Sequence, residues 1–315
     1  MQSDGVLEIS DASGAMLAAA SLKQVRTTSR LGATRRRLDF PDGGSFDTSD
    51  NDAVDAFFRH SGWLHRLEDS WRAVLASVAL AAAAAALFAL YGVPATAAWL
   101  ARHTPASVAH FATDQTLDAL DRTAMDPTRL APAVQNRYRV LFAAVAHAAP
   151  GTGYRLLFRN APSIGANAFA LPDGTVIMID QMDRMIPKDE EIQGVFAHEM
   201  SHVTRAHGLQ SIYQASLVPA AIAFITGDAS QIGHIATILP GVLLQSAYSR
   251  GFEQQADDDA AIVMRRMGKN PGALGDLLER MEQKYCGHDG GCGPSWLGSH
   301  PATAARAARL RHAKS

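Results

Sequence analysis

The chain has 315 residues, of which 47% are hydrophobic, so it is long enough for one catalytic domain with a buried core and a smaller unit beside it. Its 29 basic and 31 acidic residues nearly cancel, which argues against a nucleic-acid-binding protein, since such proteins present a basic face. Two cysteines are too few for a disulfide-rich scaffold.

The first elements predict a small β-rich domain over residues 1–66. Residues 6–9 alternate as a strand does, residues 15–21 form a second short apolar stretch, and residues 35–40 are predicted to form a third strand. Residues 41–44, Pro-Asp-Gly-Gly, have the chemistry of a turn.

A transmembrane helix is predicted over residues 71–100. Residues 73–100 contain no charged side chain, and about 20 apolar residues are enough to cross a bilayer as a helix. A buried core helix is the alternative, because alanine is only weakly apolar and Pro94 interrupts the stretch. Aromatic and basic residues flank both ends, as interfacial anchors do: Trp71, Arg72, Trp99 and Arg102.

The charges around this stretch predict its orientation. Arg59, Arg66 and Arg72 precede it closely, whereas Arg102 alone follows closely. The positive-inside rule then leaves the N-terminus in the cytoplasm. We therefore expect a single-pass protein of the bacterial inner membrane, with residues 105–315 in the periplasm.

The two cysteines are consistent with this orientation. Cys286 and Cys292 are separated by a short loop, and such a pair in an oxidising compartment predicts a disulfide bond. A second metal site that includes His288, and a pair of free thiols, are the alternatives.

The region after the apolar stretch mixes helices with a few strands. Residues 105–149 have a helical pattern, and residues 154–159 are predicted to form a strand. Residues 167–171 and 176–179 are expected to form a β-hairpin around the turn 172–174, Pro-Asp-Gly.

A capped, amphipathic helix is predicted over residues 189–206, because three acidic residues in its first turn suit the helix dipole. Two apolar stretches follow, residues 212–226 and 235–244, each shorter than a membrane span and each containing a proline. They fit core helices or a hairpin that dips into the membrane. Further helices are predicted over residues 272–285 and 302–312.

The helix at residues 189–206 carries the chemistry. His198, Glu199 and His202 form the pattern H-E-x-x-H. Residues four apart lie on one face of a helix, so both imidazoles can bind one metal ion. Glu199 is placed to take a proton from a water that the metal activates.

A catalytic zinc ion needs a third protein ligand. One class of enzyme uses a histidine six residues after the second, with a glycine between them, but this chain has Arg205 and Gly208 at those positions. His207 does not have that spacing, and we expect it to be exposed or to lie behind the ligands.

Glu253 is the predicted third ligand, on a later helix. Asp257 is four residues further on and shares its face, so it can accept the N–H of a ligating histidine. An exposed acidic helix face is the alternative, because Asp258 and Asp259 continue the acidic run.

The motifs together resemble a known family. H-E-x-x-H followed after about fifty residues by E-x-x-A-D resembles the HtpX-, BepA- and CAAX prenyl protease-like family of membrane-associated gluzincin metallopeptidases. Residues 167–174, N-A-F-A-L-P-D-G, are similar to the strand and turn that precede its active-site helix. Ser299, His300 and Pro301, with Arg306 downstream, are similar to its S-H-P-x-x-x-x-R segment. The resemblance covers residues 105–310.

The resemblance implies an α+β fold, a mainly helical gluzincin-type metallopeptidase domain with a small β-sheet or hairpin over residues 105–315. It implies one zinc ion per chain, held by His198, His202 and Glu253, with Glu199 as the catalytic base. It also implies that His300 donates to the oxyanion and that Arg306 orients His300 or the zinc site, although His300 as a helix cap is an alternative. A substrate is expected to add as an extended strand along Asn167, Ala168, Phe169 and Ala170.

The expected activity is that of a membrane-anchored zinc endopeptidase in the quality control of membrane or envelope proteins. Its partners are then misfolded or membrane-associated polypeptides and membrane lipid, with no nucleic acid. A non-proteolytic zinc-site chaperone or adaptor is the alternative, but such a protein has no need of Glu199 as a base. A prenyl-protein protease is less favoured, since several spans are expected to enclose its site.

Overall fold

The computed structural model describes residues 5–11, 13–58, 71–227, 249–286, 295–301 and 304–313. The chain forms two compact units, Met1–Ala85 and Ala86–Ser315.

The first unit contains two small antiparallel sheets and a short helix. Its elements before the apolar helix are β1 (Val6–Ser10), β2 (Met16–Ser21), β3 (Arg26–Thr27), β4 (Arg36–Asp39), β5 (Ser45–Thr48) and α1 (Asn51–Phe58). The strand β1 pairs with β2, and β4 lies between β3 and β5. The three predicted strands are confirmed, whereas β3, β5 and α1 were not predicted.

Alternation along the strands builds the core of this unit. Leu7 of β1 and Leu38 of β4 are buried together with Phe40 and with Val54 of α1. Arg36 is also buried, and its guanidinium pairs with the carboxylate of Asp55. This ion pair joins α1 to the strand β4.

An apolar helical stretch follows, formed by α2 (Trp71–Leu87), a π-helical turn (Phe88–Gly92) and α3 (Val93–His103). Within the described residues, Val74–His103 is the one helix long and apolar enough to cross a membrane. Its most apolar window is not buried. The alternative of a core helix would require a buried window. Pro94 lies in the first turn of α3, where proline is tolerated.

The second unit places a mixed sheet among helices. Its elements after α3 are α4 (Ala106–Thr123), β6 (Asp126–Pro127), α5 (Pro132–Ala148), β7 (Arg155–Asn160), β8 (Ala168–Ala170), β9 (Thr175–Ile179), a 3-10 segment (Asp180–Met185), α6 (Asp189–Thr204), α7 (His207–Thr226), α8 (Arg250–Arg266), α9 (Gly272–Tyr285), α10 (Trp296–Ser299) and α11 (Ala304–His312). The described strands are ordered β6-β7-β9-β8. The strand β7 is parallel to β9, and β8 is antiparallel to it.

The strand β9 is buried on both faces. Val176 and Met178 point into a core shared with α5, α6 and α9, whereas Ile177 and Ile179 point into a second core with α4. Because both faces are covered, the strand is apolar at nearly every position. Each such aliphatic side chain contributes about 1.5–3 kcal/mol by leaving water.

The helix α6 runs through the centre of this unit and packs against α5, α8, α9 and the strand β8. Residues 191–202 are all buried, so the prediction of an amphipathic helix is wrong: neighbours cover every side of its middle turns. No side-chain cap is present at Lys188. Instead, Glu191 in the first turn is fully buried, and its carboxylate accepts hydrogen bonds from both terminal nitrogens of Arg280, at 2.8 and 2.9 Å.

Most of the predicted elements of this unit are confirmed. The strand β7, the hairpin of β8 and β9, and the helices α6 and α9 lie within a few residues of their predicted bounds. The stretch 212–226 lies within α7, which contains Pro219, whereas the stretch 235–244 is outside the described residues. Cys286 is disulfide-bonded, in agreement with the prediction, and Cys292 is outside the described residues.

Gly275 provides a test of the packing between α9 and α11. A Cβ at this position would lie 2.9 Å from the carbonyl oxygen of Ala307, and such overpacking typically costs about 1–3 kcal/mol. We expect Gly275→Ala to lower the melting temperature of the full-length chain in detergent by several degrees, although alanine is about 1 kcal/mol better than glycine in a helix.

The matched control is Gly251→Ala in α8, where the nearest atom to the added Cβ is Ser249 Oγ at 3.7 Å. This variant should melt at or above the wild-type temperature. An unchanged melting temperature for Gly275→Ala would contradict the close approach of the two helices.

Candidate metal centre

Four buried side chains converge beside the middle of α6. His198 and His202 come from α6, Glu253 from α8, and His300 follows α10. None is more than 2% exposed. One potential ligand atom from each lies within 4.8 Å of all the others.

The spacing of these atoms fits one zinc ion. The Nε2 atoms of His198 and His202 are 3.1 Å apart, and Oε1 of Glu253 lies 3.4 Å from Nε2 of His202. Ligands placed tetrahedrally at 2.0–2.1 Å from zinc are about 3.3 Å from one another. Imidazole nitrogen and carboxylate oxygen are also the donors that zinc takes.

His300 lies among the ligand atoms. Its Nδ1 is 3.3 Å from Nε2 of His198 and 2.9 Å from Oε1 of Glu253. Its Nε2 is 3.5 Å from Oε1 of Glu199. The residue predicted to donate to the oxyanion is therefore in the position of a fourth ligand in this structure.

Glu199 has one oxygen held and one available. Its Oε1 accepts a hydrogen bond of 2.9 Å from Nε1 of Trp296. Among the described residues, no group hydrogen-bonds its buried Oε2. Burial raises the pKa of Glu199, which strengthens the carboxylate as a proton acceptor.

Asp257 and Arg306 form a second layer behind the cluster. Oδ1 of Asp257 lies 3.1 Å from Nδ1 of His198, which leaves Nε2 of that ring to face the cluster. Arg306 donates to both oxygens of Asp257, at 2.7 and 2.8 Å, and its Nη1 lies 2.8 Å from Oε2 of Glu253. Burial raises the pKa of Glu253, but the imidazoles of His300 and His198 outweigh it and hold that pKa below its usual range.

His207 belongs to the same layer. The sequence predicts an exposed residue or one behind the ligands, and the structure places it behind, fully buried. Its Nδ1 lies 3.0 Å from Nδ1 of His202. Burial lowers the pKa of His207 to about 4, so this imidazole is neutral at physiological pH.

The predicted substrate-binding strand is β8, which lies at the end of the strand order. Asn167, Ala168, Phe169 and Ala170 are all buried, none more than 7% exposed. At its start, the carbonyl of Ala166 accepts a hydrogen bond of 2.7 Å from the backbone N–H of Trp296. The binding of an extended substrate along this strand stays a prediction.

The sequence did not reveal the contact between Trp296 and Glu199. Trp296 is fully buried and also packs edge-on against His198, with ring centroids 5.3 Å apart. No local pattern connects it with Glu199, because 97 residues separate the two. The only sequence clue to the role of His207 is its position five residues after His202. The direction of its side chain depends on a backbone turn that the spacing does not show.

Two histidines one helical turn apart, a glutamate between them and a carboxylate from a second helix characterise gluzincin metallopeptidases. The model of peptidase family M48 matches residues 131–314, which is more than half of the chain. The chain therefore belongs to peptidase family M48, a family of zinc metallopeptidases. A second family model, described as a domain of unknown function (DUF7092), matches residues 2–61.

The curated relatives named below each match just under half of this chain. Metalloprotease YcaL of Escherichia coli (strain K12) is 32% identical over 151 residues, which cover 46% of this chain and 57% of that protein. Mitochondrial metalloendopeptidase OMA1 of Saccharomyces cerevisiae is 31% identical over 152 residues, 47% of this chain and 43% of that protein. Beta-barrel assembly-enhancing protease of Yersinia pestis is 27% identical over 161 residues, 46% of this chain and 32% of that protein. The chain thus spans little more than half the length of the first of these relatives and less of the others.

Arg306 provides a test of the buried charges. Replacing it with methionine removes the cation beside the carboxylates of Asp257 and Glu253, and breaking a buried ion pair from one side costs about 3–5 kcal/mol. We expect Arg306→Met to lower the melting temperature of the metal-free full-length chain strongly. Arg306→Lys should lie between the two, since an ammonium group cannot bind both oxygens of Asp257 as a guanidinium does.

Arg309→Met on the same helix is the matched control. Arg309 pairs with the exposed carboxylate of Asp258, and exposed pairs contribute at most about 1 kcal/mol. If Arg306→Met and Arg309→Met melted at the same temperature, Arg306 would not be the counter-ion of the site.

Proposed function

We propose that this chain is a membrane-anchored zinc endopeptidase that hydrolyses peptide bonds of misfolded or membrane-associated proteins. The observation that carries the proposal is the buried group of His198, His202 and Glu253 with the available oxygen of Glu199 beside it. Membership of peptidase family M48 supports it.

In this proposal His198, His202 and Glu253 hold one zinc ion. When bound, zinc acts as a Lewis acid that polarises the scissile carbonyl and makes water a stronger nucleophile at neutral pH. The ligand helices hold these side chains in place before substrate arrives, because both are packed on several sides. A metal site that is already ordered loses little conformational entropy when it acts.

Glu199 moves the proton. Its Oε2 accepts a proton from the attacking water and later passes it to the leaving amine. Trp296 holds Oε1, so the carboxylate cannot turn freely and Oε2 stays directed at the same point. The raised pKa of Glu199 brings the proton affinity of the base closer to the working pH, where transfer in both directions is fast.

His300 has to change place during this reaction. A catalytic zinc site keeps one position open for substrate, and in this structure the ring of His300 fills the fourth position of the group. If that position were open to a substrate carbonyl, His300 would be the donor to the oxyanion, as the family resemblance implies. Its distance of 3.5 Å from Glu199 supports a place beside the reacting atoms.

The membrane attachment is supported by the helix Val74–His103. We propose that it is a single span, with residues 1–66 as a small β-rich domain in the cytoplasm and residues 105–315 as a periplasmic peptidase domain in the bacterial inner membrane. The excess of arginine before the span supports this orientation. The disulfide of Cys286 supports it as well, since disulfides persist in oxidising compartments.

The proposed role in the quality control of envelope proteins rests on the names of relatives and on the proposed compartment. Four relatives are named as beta-barrel assembly-enhancing proteases, and a membrane-anchored peptidase with a periplasmic site would meet proteins of the same compartment. Lipid is a partner through the span alone. We do not favour a non-proteolytic adaptor, because Glu199 keeps an oxygen available for proton transfer.

Glu199→Gln tests the peptidase activity. The substitution keeps the size of the side chain but removes the base, so we expect loss of casein cleavage with about one zinc ion retained per chain. The measurement compares purified full-length wild type and variant, with zinc content determined on both. Zinc in both chains without cleavage by either would favour the adaptor, and absence of zinc from both would contradict the ligand assignment.

Reporter fusions test the orientation. Alkaline phosphatase at the C-terminus should be active, since it folds outside the cytoplasm, whereas a green fluorescent protein at the same place should be dark. Replacing Arg59, Arg66 and Arg72 with alanine should weaken this preference, because the excess of arginine before the span is then removed. Fluorescence of the wild-type fusion would place the peptidase domain in the cytoplasm.

A further inference from the structure

His207 lies directly behind the predicted metal ligand His202 and is held by two residues of α8. Its Nδ1 is 3.0 Å from Nδ1 of His202, and its Nε2 is 3.1 Å from Oε1 of Gln255. Phe252 stacks on its ring with centroids 4.1 Å apart and planes 9° apart. Because Gln255 and Phe252 flank Glu253 in the sequence, the helix that supplies one ligand also holds the group behind another.

These contacts determine where the protons lie. A neutral imidazole has one N–H donor and one acceptor nitrogen, and Nε2 of His202 must be unprotonated to bind a metal ion. The proton of His202 is then on Nδ1, so Nδ1 of His207 has to be the acceptor. His207 consequently carries its own proton on Nε2, which donates to the amide oxygen of Gln255.

The backbone places His207 there at a cost. Five residues along a continuous helix correspond to about 140° of rotation, so position 207 would not lie behind His202 if α6 simply continued. Ala206 instead has φ 54° and ψ 35°, in the left-handed region that costs a non-glycine residue about 1–2 kcal/mol. Such a conformation persists where surrounding contacts hold it, often at functional sites.

We propose that His207 is a positioning residue of the metal centre: its Nδ1 accepts a hydrogen bond from Nδ1–H of His202 and thereby keeps Nε2 of His202 available as a ligand. The amide oxygen of Gln255 accepts a hydrogen bond from Nε2–H of His207. We call this chain of hydrogen bonds, from His202 through His207 to Gln255, the relay. The inference rests on the proposed role of His202 as a zinc ligand.

The group behind His202 is the neutral imidazole of His207, whereas the group behind His198 is the carboxylate of Asp257. The difference has a physical reason. His198 has Asp257 behind it, and the charge of Asp257 is balanced by Arg306. A second carboxylate in the position of His207 would add negative charge to a site that already buries Glu199 and Glu253. Arg205, whose charge acts on His207, is already paired with Asp259. A neutral imidazole orients His202 without that cost.

Two amide substitutions that differ by one methylene group test the relay. In His207→Asn the side-chain oxygen can reach the position of Nδ1 and accept from His202, whereas in His207→Gln the amide reaches the position of Nε2 instead. We expect His207→Asn to bind zinc with nearly the wild-type dissociation constant. His207→Gln, and His207→Phe, which keeps a ring on Phe252 but removes both nitrogens, should bind about 10–100-fold more weakly.

The measurement is competition with a chromophoric zinc chelator, made on the full-length chain in detergent, with the melting temperature of the metal-free chain recorded for each variant. The visible spectrum of the cobalt-substituted protein is a second readout, since a role in packing alone would not move it. It should shift in His207→Gln and stay close to wild type in His207→Asn. Should His207→Phe fail to fold, the comparison of the two amides still decides.

Each remaining outcome is informative. Wild type without zinc overturns the proposed function and this inference with it. Wild-type zinc affinity in His207→Gln overturns the relay alone. Equal loss of affinity in folded His207→Asn and His207→Gln also overturns it, because the shape of the ring would then matter rather than the acceptor atom.

Discussion

Three buried carboxylates, Glu199, Glu253 and Asp257, lie within one small volume, and the arrangement of the peptidase unit follows from the cost of keeping them there. A carboxylate removed from water needs a cation or several hydrogen bonds. Arg306 neutralises one side of the group from the C-terminal helix, and a metal ion would neutralise the other. Trp296 supplies a hydrogen bond to the third carboxylate. The last helices of the chain are therefore part of the site and not an appendage.

The helix α7 connects this site with the apolar helix. It begins at His207, beside the predicted metal ligand His202, and packs along α3. There Val93, Ala97 and Ala101 form a buried face of residues four apart. Thr104 after α3 and Tyr213 of α7 share a hydrogen bond of 2.8 Å. One helix, α7, thus connects α3 with the residue behind His202. The helix α3, the helix α7 and the candidate metal centre therefore lie in one compact unit, Ala86–Ser315.

The local elements were predictable because their causes are local. The turn at residues 172–174 and the apolar strands around it indicate the hairpin, and H-E-x-x-H places two imidazoles on one face through the geometry of a single helix. The amphipathic character assigned to α6 was wrong, since a helix covered on all sides has no polar face, and the number of neighbours is not a local property. His300 was predicted to act beside the ligands, whereas the structure places it among the potential ligand atoms. Its position depends on how the chain folds back over the 102 residues that separate it from His198.

The sequence by itself predicted that His198, Glu199, His202, Glu253 and Asp257 belong to one site, because fixed helical spacing converts residue type into direction. It also determined the apolar stretch, through length and composition alone. Only the tertiary structure decided that Trp296 holds Glu199, that Arg306 joins Asp257 to Glu253, and that His207 turns back behind His202. The reason is that each of these contacts depends on how α6, α8 and the C-terminal segments pack, and on one left-handed residue, Ala206. Such packing is a property of the whole unit, and no window of sequence contains it.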